Sequence, residues 1–137
     1  MKKQFSTSWK GSKQGRKQRK YSAQAPLHIK AKMLSAHLSI DLRKKYNRRA
    51  VPIRKGDTVK VMIGNFKKKT GKVADVQRLT QRVSVEGLQV SKKDGSKVNV
   101  YFYPSNLMII ELNVEDKKRL DSIKKENKTE VKTKETK

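Results

Sequence analysis

Ile53-Arg-Lys-Gly-Asp-Thr-Val-Lys-Val-Met-Ile-Gly-Asn-Phe-Lys-Lys-Lys-Thr-Gly-Lys-Val-Ala-Asp-Val76 is the stretch on which the reading of this chain turns. Val59, Val61 and Ile63 alternate with Thr58, Lys60 and Met62, the period-2 pattern of a strand with one buried face. Gly64 breaks the strand, and Lys67, Lys68 and Lys69 form the connection. Gly71 restarts the chain, and Val73 and Val76 supply apolar side chains for a second strand. Glycine at both loop ends permits positive φ and close approach of a partner to the backbone. A lysine triplet at the tip opposes folding by self-repulsion unless solvent or phosphate compensates it.

Downstream the same grammar repeats. Arg82 to Glu86 alternates, with Val83 and Val85 on one face; Gly87 interrupts, and Leu88 and Val90 continue. Lys93-Asp94-Gly95-Ser96 is a hairpin signal, because Asp-Gly favours tight turns. Val98, Val100 and Phe102 form the next apolar face, Pro104-Ser105-Asn106 a turn, and Leu107 to Leu112 a last strand. About five short strands predict a mainly β fold: a small, strongly bent antiparallel barrel of SH3-like type over residues 51–112.

Upstream, residues 26–50 predict short helices. Pro26 suits a first helical position. Leu27, Ala31, Leu34 and Leu38 follow at helical spacing, a stripe expected to pack on the barrel, with Lys30 and Lys32 off it. Ser39 caps a second helix, Ile40 to Tyr46, with Asp41 in its first turn and Arg43, Lys44 and Lys45 in its last. Val51-Pro52 ends the helical region. Beyond the barrel, residues 113–137 predict a helix capped by Asn113, with Leu120 and Ile123 on one side, then a charged tail.

Lys and Arg number 36 against 12 acids in 137 residues, a net charge of +24. That implies a polyanionic partner, nucleic acid or an anionic membrane surface. No run of about 18 apolar residues is present to span a bilayer, and the basic N-terminus lacks the apolar core of a secretory signal. The absence of cysteine excludes disulfides and thiolate chemistry and fits a cytosolic protein. Residues 1–55 carry 17 Lys and Arg against one acid, Asp41. The arm over residues 1–25 is too polar to offset its chain entropy and is expected to be disordered without RNA. Phe5, Trp9 and Tyr21 lie among its charges. They can stack on unpaired bases or dock on the protein's own barrel.

No catalytic or cofactor site emerges. His28 and His37 are the only histidines, with no cysteine to complete a metal site. Gly64 to Gly71 followed by Lys72 and Val73 has the wrong glycine spacing, and no Ser or Thr after the lysine, for a nucleotide-binding loop. Asp57 and Asp75 flank strands and are expected to neutralise nearby lysines. The reading is of a non-enzyme with no cofactor, metal or small-molecule substrate.

Lys55-Gly56-Asp57, Val59-Lys60-Val61, Gly64 and Thr70-Gly71-Lys72-Val73 resemble the KOW motif, a strand-loop-strand element of ribosomal and transcription-elongation proteins. Lys68 stands where that family's loop usually has glycine between two basic residues. The likeness extends through Ser35-Ala36-His37-Leu38-Ser39, Leu42 to Asn47, Pro52 to Lys55, Val83 to Gly87, Asp94-Gly95-Ser96 and Pro104 to Leu107. From about Phe5 to Leu120 the chain is similar to the universal KOW family of large-subunit ribosomal proteins, numbered twenty-four in bacterial naming, in its archaeal and eukaryotic form. His37 replaces the proline more usual there.

That resemblance implies a cytoplasmic structural constituent of the large ribosomal subunit. It would bind large-subunit rRNA near its 5′ end, support early assembly and lie near the peptide exit tunnel beside neighbouring large-subunit ribosomal proteins. The RNA-contacting candidates are Lys2, Lys3, Trp9, Lys10, Lys13, Arg16, Lys17, Arg19 and Lys20 in the arm, then Lys30 and Lys32. Arg43, Lys44, Lys45, Arg48, Arg49, Arg54 and Lys55 follow, and Lys67, Lys68, Lys69 and Lys72 complete them. Gly56, Asp57, Gly64 and Gly71 are the structural positions of the motif. The rival readings are a KOW-type transcription-elongation protein, which would normally carry another α/β domain, and a DNA-compacting protein, which would bind duplex DNA as well.

Overall fold

Period-2 valines build the sheet where they were expected and stop sooner than expected. The computed structural model describes residues 4–116 and Arg119; Lys2, Lys3 and the expected C-terminal helix with Leu120, Ile123 and the tail lie outside them. β3 covers only Thr58–Val61, with Val59 and Val61 buried. Met62 and Ile63 lie beyond its end, Ile63 at 63% exposure. The alternation continues through Ile63, but the chain has already turned: Met62 N–H donates to the Asn106 carbonyl at 2.8 Å. β4 (Thr70–Gln77) returns antiparallel, with Val59 opposite Gly71.

β5 runs unbroken through Arg82–Ser91, although Gly87 was expected to divide it. Gly87 has φ +76° and lies within a register shift between Ser84 and Gln89, so it bends the strand instead of ending it. β6 (Lys97–Phe102) follows the Asp-Gly turn. There Ser96 donates both its hydroxyl and its N–H to Asp94 Oδ1, at 2.6 and 2.9 Å. These bonds hold the Asp94 carboxyl below the usual range, the hydroxyl bond being the larger cause. Val90 faces Val98 across this ribbon. Both are exposed, because this end of the hairpin runs past the core, so the apolar face expected at Val98 is realised only towards Phe102. β7 (Leu107–Glu111) closes the series.

The expected stripe from Leu27 to Leu38 is divided. α2 ends at Met33 (Leu27–Met33), and Ser35–Leu38 is a strand, β1. β1 pairs antiparallel with β2 (Ala50–Pro52) and parallel with β7. Ala36 and Leu38 are buried while Ser35 and His37 are half-exposed. This period-2 signal was overlaid by the chance i,i+4 spacing of Leu34 and Leu38. Leu27, at the other end of the stripe, is exposed. α3 (Ile40–Tyr46) forms as expected: Ser39 Oγ accepts the Leu42 N–H, and Asn47 ends the helix at φ 49°.

Among the described residues the sheet is mixed, with seven strands in the order β2-β1-β7-β3-β4-β5-β6. The expected all-antiparallel arrangement is corrected by the β1–β7 pair. That pair forms because Leu38 and Ile109, matched in register, are both fully buried. Among the described residues the pairings run in an open series from β2 to β6 and do not close a barrel. Register shifts in β3–β7, β4–β5 and β5–β6 bend it. Val51, Val59, Val73, Val83, Val85 and Leu107 share its core, and Leu42 and Tyr46 of α3 pack against that core.

Candidate nucleic-acid interface

The lysine loop is held from beneath. Val61 N–H donates to the Lys69 carbonyl and Lys68 N–H to the Val61 carbonyl, both at 2.9 Å, so the tip is tied to the end of β3. Phe66 sets its edge against Phe102, with centroids 6.0 Å apart. Lys67, Lys68 and Lys69 are exposed, and among the described residues no carboxylate pairs with them. Lys69 Nζ lies over the Phe66 ring, 5.2 Å from its centroid. Lys68 has φ +72°, a left-handed conformation that a non-glycine residue adopts at a cost. Of the flanking glycines, Gly64 has φ +90°. Gly71 does not have positive φ; it is required because a Cβ there would meet Val85 Cγ1 at 2.7 Å and the Glu86 carbonyl oxygen at 2.9 Å.

At the opposite end of β3, Gly56 has φ +86° and Asp57 is completely buried. Asp57 does not neutralise lysines, as was expected. Its carboxylate accepts from Arg119 Nη1 and Nη2 at 2.6 and 2.7 Å, and from the N–H groups of Arg54 and Asn113 at 2.9 Å each. Arg119 also donates to the carbonyls of Pro52 and Asn113. A fork of donors around a buried carboxylate offsets its desolvation, so this is a structural clamp. Arg119 was missed because no local pattern marks a side chain whose partner lies 62 residues away. Asp75, by contrast, is exposed.

The other cations divide by environment. Lys32, Lys44, Lys45, Arg49, Arg54, Lys55 and Lys72 are exposed; Arg43 and Arg48 are half-buried. Arg43 Nε is engaged by the Leu38 carbonyl, and Arg54 pairs with Asp116. Lys30 is turned inward, 8% exposed, with Nζ on the Leu79 carbonyl at 3.3 Å.

The arm carries a 3-10 turn at Thr7–Gly11 and α1 (Gly15–Gln24). The two N–H groups of Gln18 Nε2 are shared among the Trp9, Lys10 and Ser12 carbonyls, folding one onto the other. Phe5 stacks on the buried Tyr21, and Lys20 Nζ lies over Trp9 at 5.3 Å. Ser22 reaches Gln81 in the β4–β5 turn. Lys10, Lys13, Arg16, Lys17 and Arg19 remain exposed. Among the described residues no helix is long and apolar enough to cross a membrane, and no His, Cys, Asp and Glu group could hold a metal ion.

A bent sheet with a rigid cationic loop and a basic N-terminal arm defines the class: a small, strongly basic β-protein with a KOW-type strand-loop-strand unit. Comparison with known proteins carries this further. The family of ribosomal proteins that comprises eukaryotic L26 and its archaeal counterparts matches residues 12–126. The chain is 45% identical over 108 residues to large ribosomal subunit protein uL24 of Methanosphaera stadtmanae, covering 79% of this chain and 92% of that protein. It is 46% identical over 114 residues to uL24 of Methanosarcina barkeri, covering 83% and 98%. The chain belongs to this family of large-subunit ribosomal proteins. It is thus a ribosomal protein rather than an enzyme, and its place is the cytoplasmic ribosome. The transcription-elongation and DNA-compacting readings find no support in these relatives.

Proposed function

We propose that the chain binds large-subunit rRNA near its 5′ end, supports early subunit assembly, and lies near the peptide exit tunnel against neighbouring large-subunit ribosomal proteins. The observation that carries the RNA reading is the loop of three exposed lysines fixed to the sheet by backbone bonds and Phe66. Fixed cations neutralise backbone phosphates without having to be ordered at the moment of binding, and release condensed counterions. The position near the 5′ end, the assembly role and the tunnel location rest on the family resemblance.

On this reading the sheet acts as an SH3-like platform. Lys44, Lys45, Arg49, Lys55 and Lys72 extend the contact, and the 1–25 arm loses its order when RNA is removed and regains it along RNA. Lys2 and Lys3 join the arm's contacts, and Trp9 offers a face for base stacking. Limited proteolysis should trim the arm faster in the free chain than in the RNA-bound chain.

The deciding experiment measures the full chain's affinity for a 5′-region fragment of large-subunit rRNA, with duplex DNA as competitor. Retention on large subunits through a salt-washed gradient is measured alongside. Preference for the rRNA fragment and retention are expected. Equal affinity for duplex DNA, with loss from the subunits, would overturn the reading in favour of DNA compaction.

A further inference from the structure

Away from the lysine loop, α2, the segment after β2 and the end of β4 enclose an open groove of about 680 Å³. Its wall and floor differ in chemistry. Ile53, 4% exposed, and the half-buried Val76 present apolar surface at the bottom. Lys32, Lys55 and Arg78 are exposed around it, and Arg54 is shared with Asp116. Asp75 is the one carboxylate among the lining residues. The volume lies within the range of about 300–1,000 Å³ for clefts that enclose a small molecule. A duplex backbone passing over the rim would meet the cations but leave the apolar floor unused.

We infer that this groove takes a single unpaired nucleotide extruded from RNA, its base against Ile53 and Val76 and its phosphates against Lys32, Lys55 and Arg78. The inference rests on the rRNA-binding reading above and adds a site with base discrimination to it. Unpaired bases are bound by apolar and guanidinium faces together with hydrogen bonds to their edges. A carboxylate only accepts hydrogen bonds, so Asp75 selects an edge that carries donors. Guanine, with adjacent ring N–H and amino donors, offers it two. Arg78, which the sequence did not single out, becomes a nucleotide-contacting residue.

The test separates groove from charge. Ala31→Trp fills the groove from α2 and leaves every cation in place; Arg78→Gln removes one rim charge and leaves the groove open. Both full-length variants are checked for fold by circular dichroism and for affinity to the 5′-region rRNA fragment. Wild-type and variant chains are also titrated with guanosine, adenosine, cytidine and uridine monophosphates while backbone amide shifts are followed. Guanosine monophosphate should move the amides of Ala31, Val76 and Arg78 most, and both variants should lose this response. Ala31→Trp should weaken the rRNA fragment about tenfold, and Asp75→Asn should erase the preference for guanosine.

A folded Ala31→Trp chain that binds the fragment like wild type overturns the groove inference and leaves rRNA binding intact. Nucleotide-induced shifts spread evenly over the basic surface overturn it too. Failure of the wild-type chain to bind the fragment overturns both readings. Should Ala31→Trp not fold, unchanged fragment affinity and unchanged guanosine response in Arg78→Gln decide against the groove.

Discussion

The two ends of β3 handle charge in opposite ways. At its start the Asp57 carboxylate is sealed from water and receives four donors, two of them from Arg119. At its end Lys67, Lys68 and Lys69 project outward with no carboxylate among the described residues to meet them. A charge compensated internally serves folding; a charge left uncompensated on a rigid support serves a partner. Removal of charge at the first end should therefore change stability, and removal of charge at the second should change binding.

Asp57→Ala should have the largest effect on folding, about 3–5 kcal/mol, because it leaves the buried Arg119 guanidinium without its carboxylate. Urea melts check this, and a loss below about 1 kcal/mol would mean that the clamp is dispensable. Gly71→Val should come next, at about 1–3 kcal/mol. Its side chain must push against the Glu86 backbone oxygen as well as the movable Val85 methyl. Lys69→Ala, on the exposed loop beside it, should stay within about 0.5 kcal/mol; coincident melting midpoints for the two variants would contradict the packing argument.

Lys68→Gly should be a smaller effect of opposite sign. Relief of the left-handed backbone should stabilise by roughly 1 kcal/mol, partly offset by the greater freedom of glycine in the unfolded chain. A melt that moves downward would show that the φ of +72° carries no strain.

Smallest for stability and sharpest for the comparison is the triple change of Lys67, Lys68 and Lys69 to Gln. Its melting midpoint should hardly move. The log–log salt dependence of rRNA-fragment binding should become shallower by about 2–3, at roughly 0.7–0.9 per lost phosphate contact. An unchanged slope in the folded triple variant would remove the loop from the RNA site and leave the arm and α3 as the main contacts.

Much of the β3–β4 unit was legible because its signals are local. Alternating valines mark a face, and Ser39 and Asp94 act on N–H groups two or three residues away. Gly71 was legible as a required glycine, for positive φ or for close packing; the structure shows the packing, and only it shows that the crowding comes from Val85 and Glu86 on the next strand. Lys30 read as an outward cation, yet α2 turns it towards Leu79. Phe5 and Tyr21 left base stacking and docking both open; in the structure they stack on each other.

By itself the sequence determined the sign and excess of charge, the cationic tip between two strands, the capped helix α3 and the Asp-Gly hairpin. These follow from sterics, periodicity and side-chain-to-backbone bonds that a few neighbouring residues decide. Only the tertiary structure decided that Ser35–Leu38 is a strand lying parallel to β7, that Arg119 closes over Asp57, and which lysines remain free to meet a partner. Those outcomes depend on which apolar faces and buried polar groups find one another across distant parts of the chain. Burial rewards the match wherever its members lie in the sequence, so no local pattern announces it.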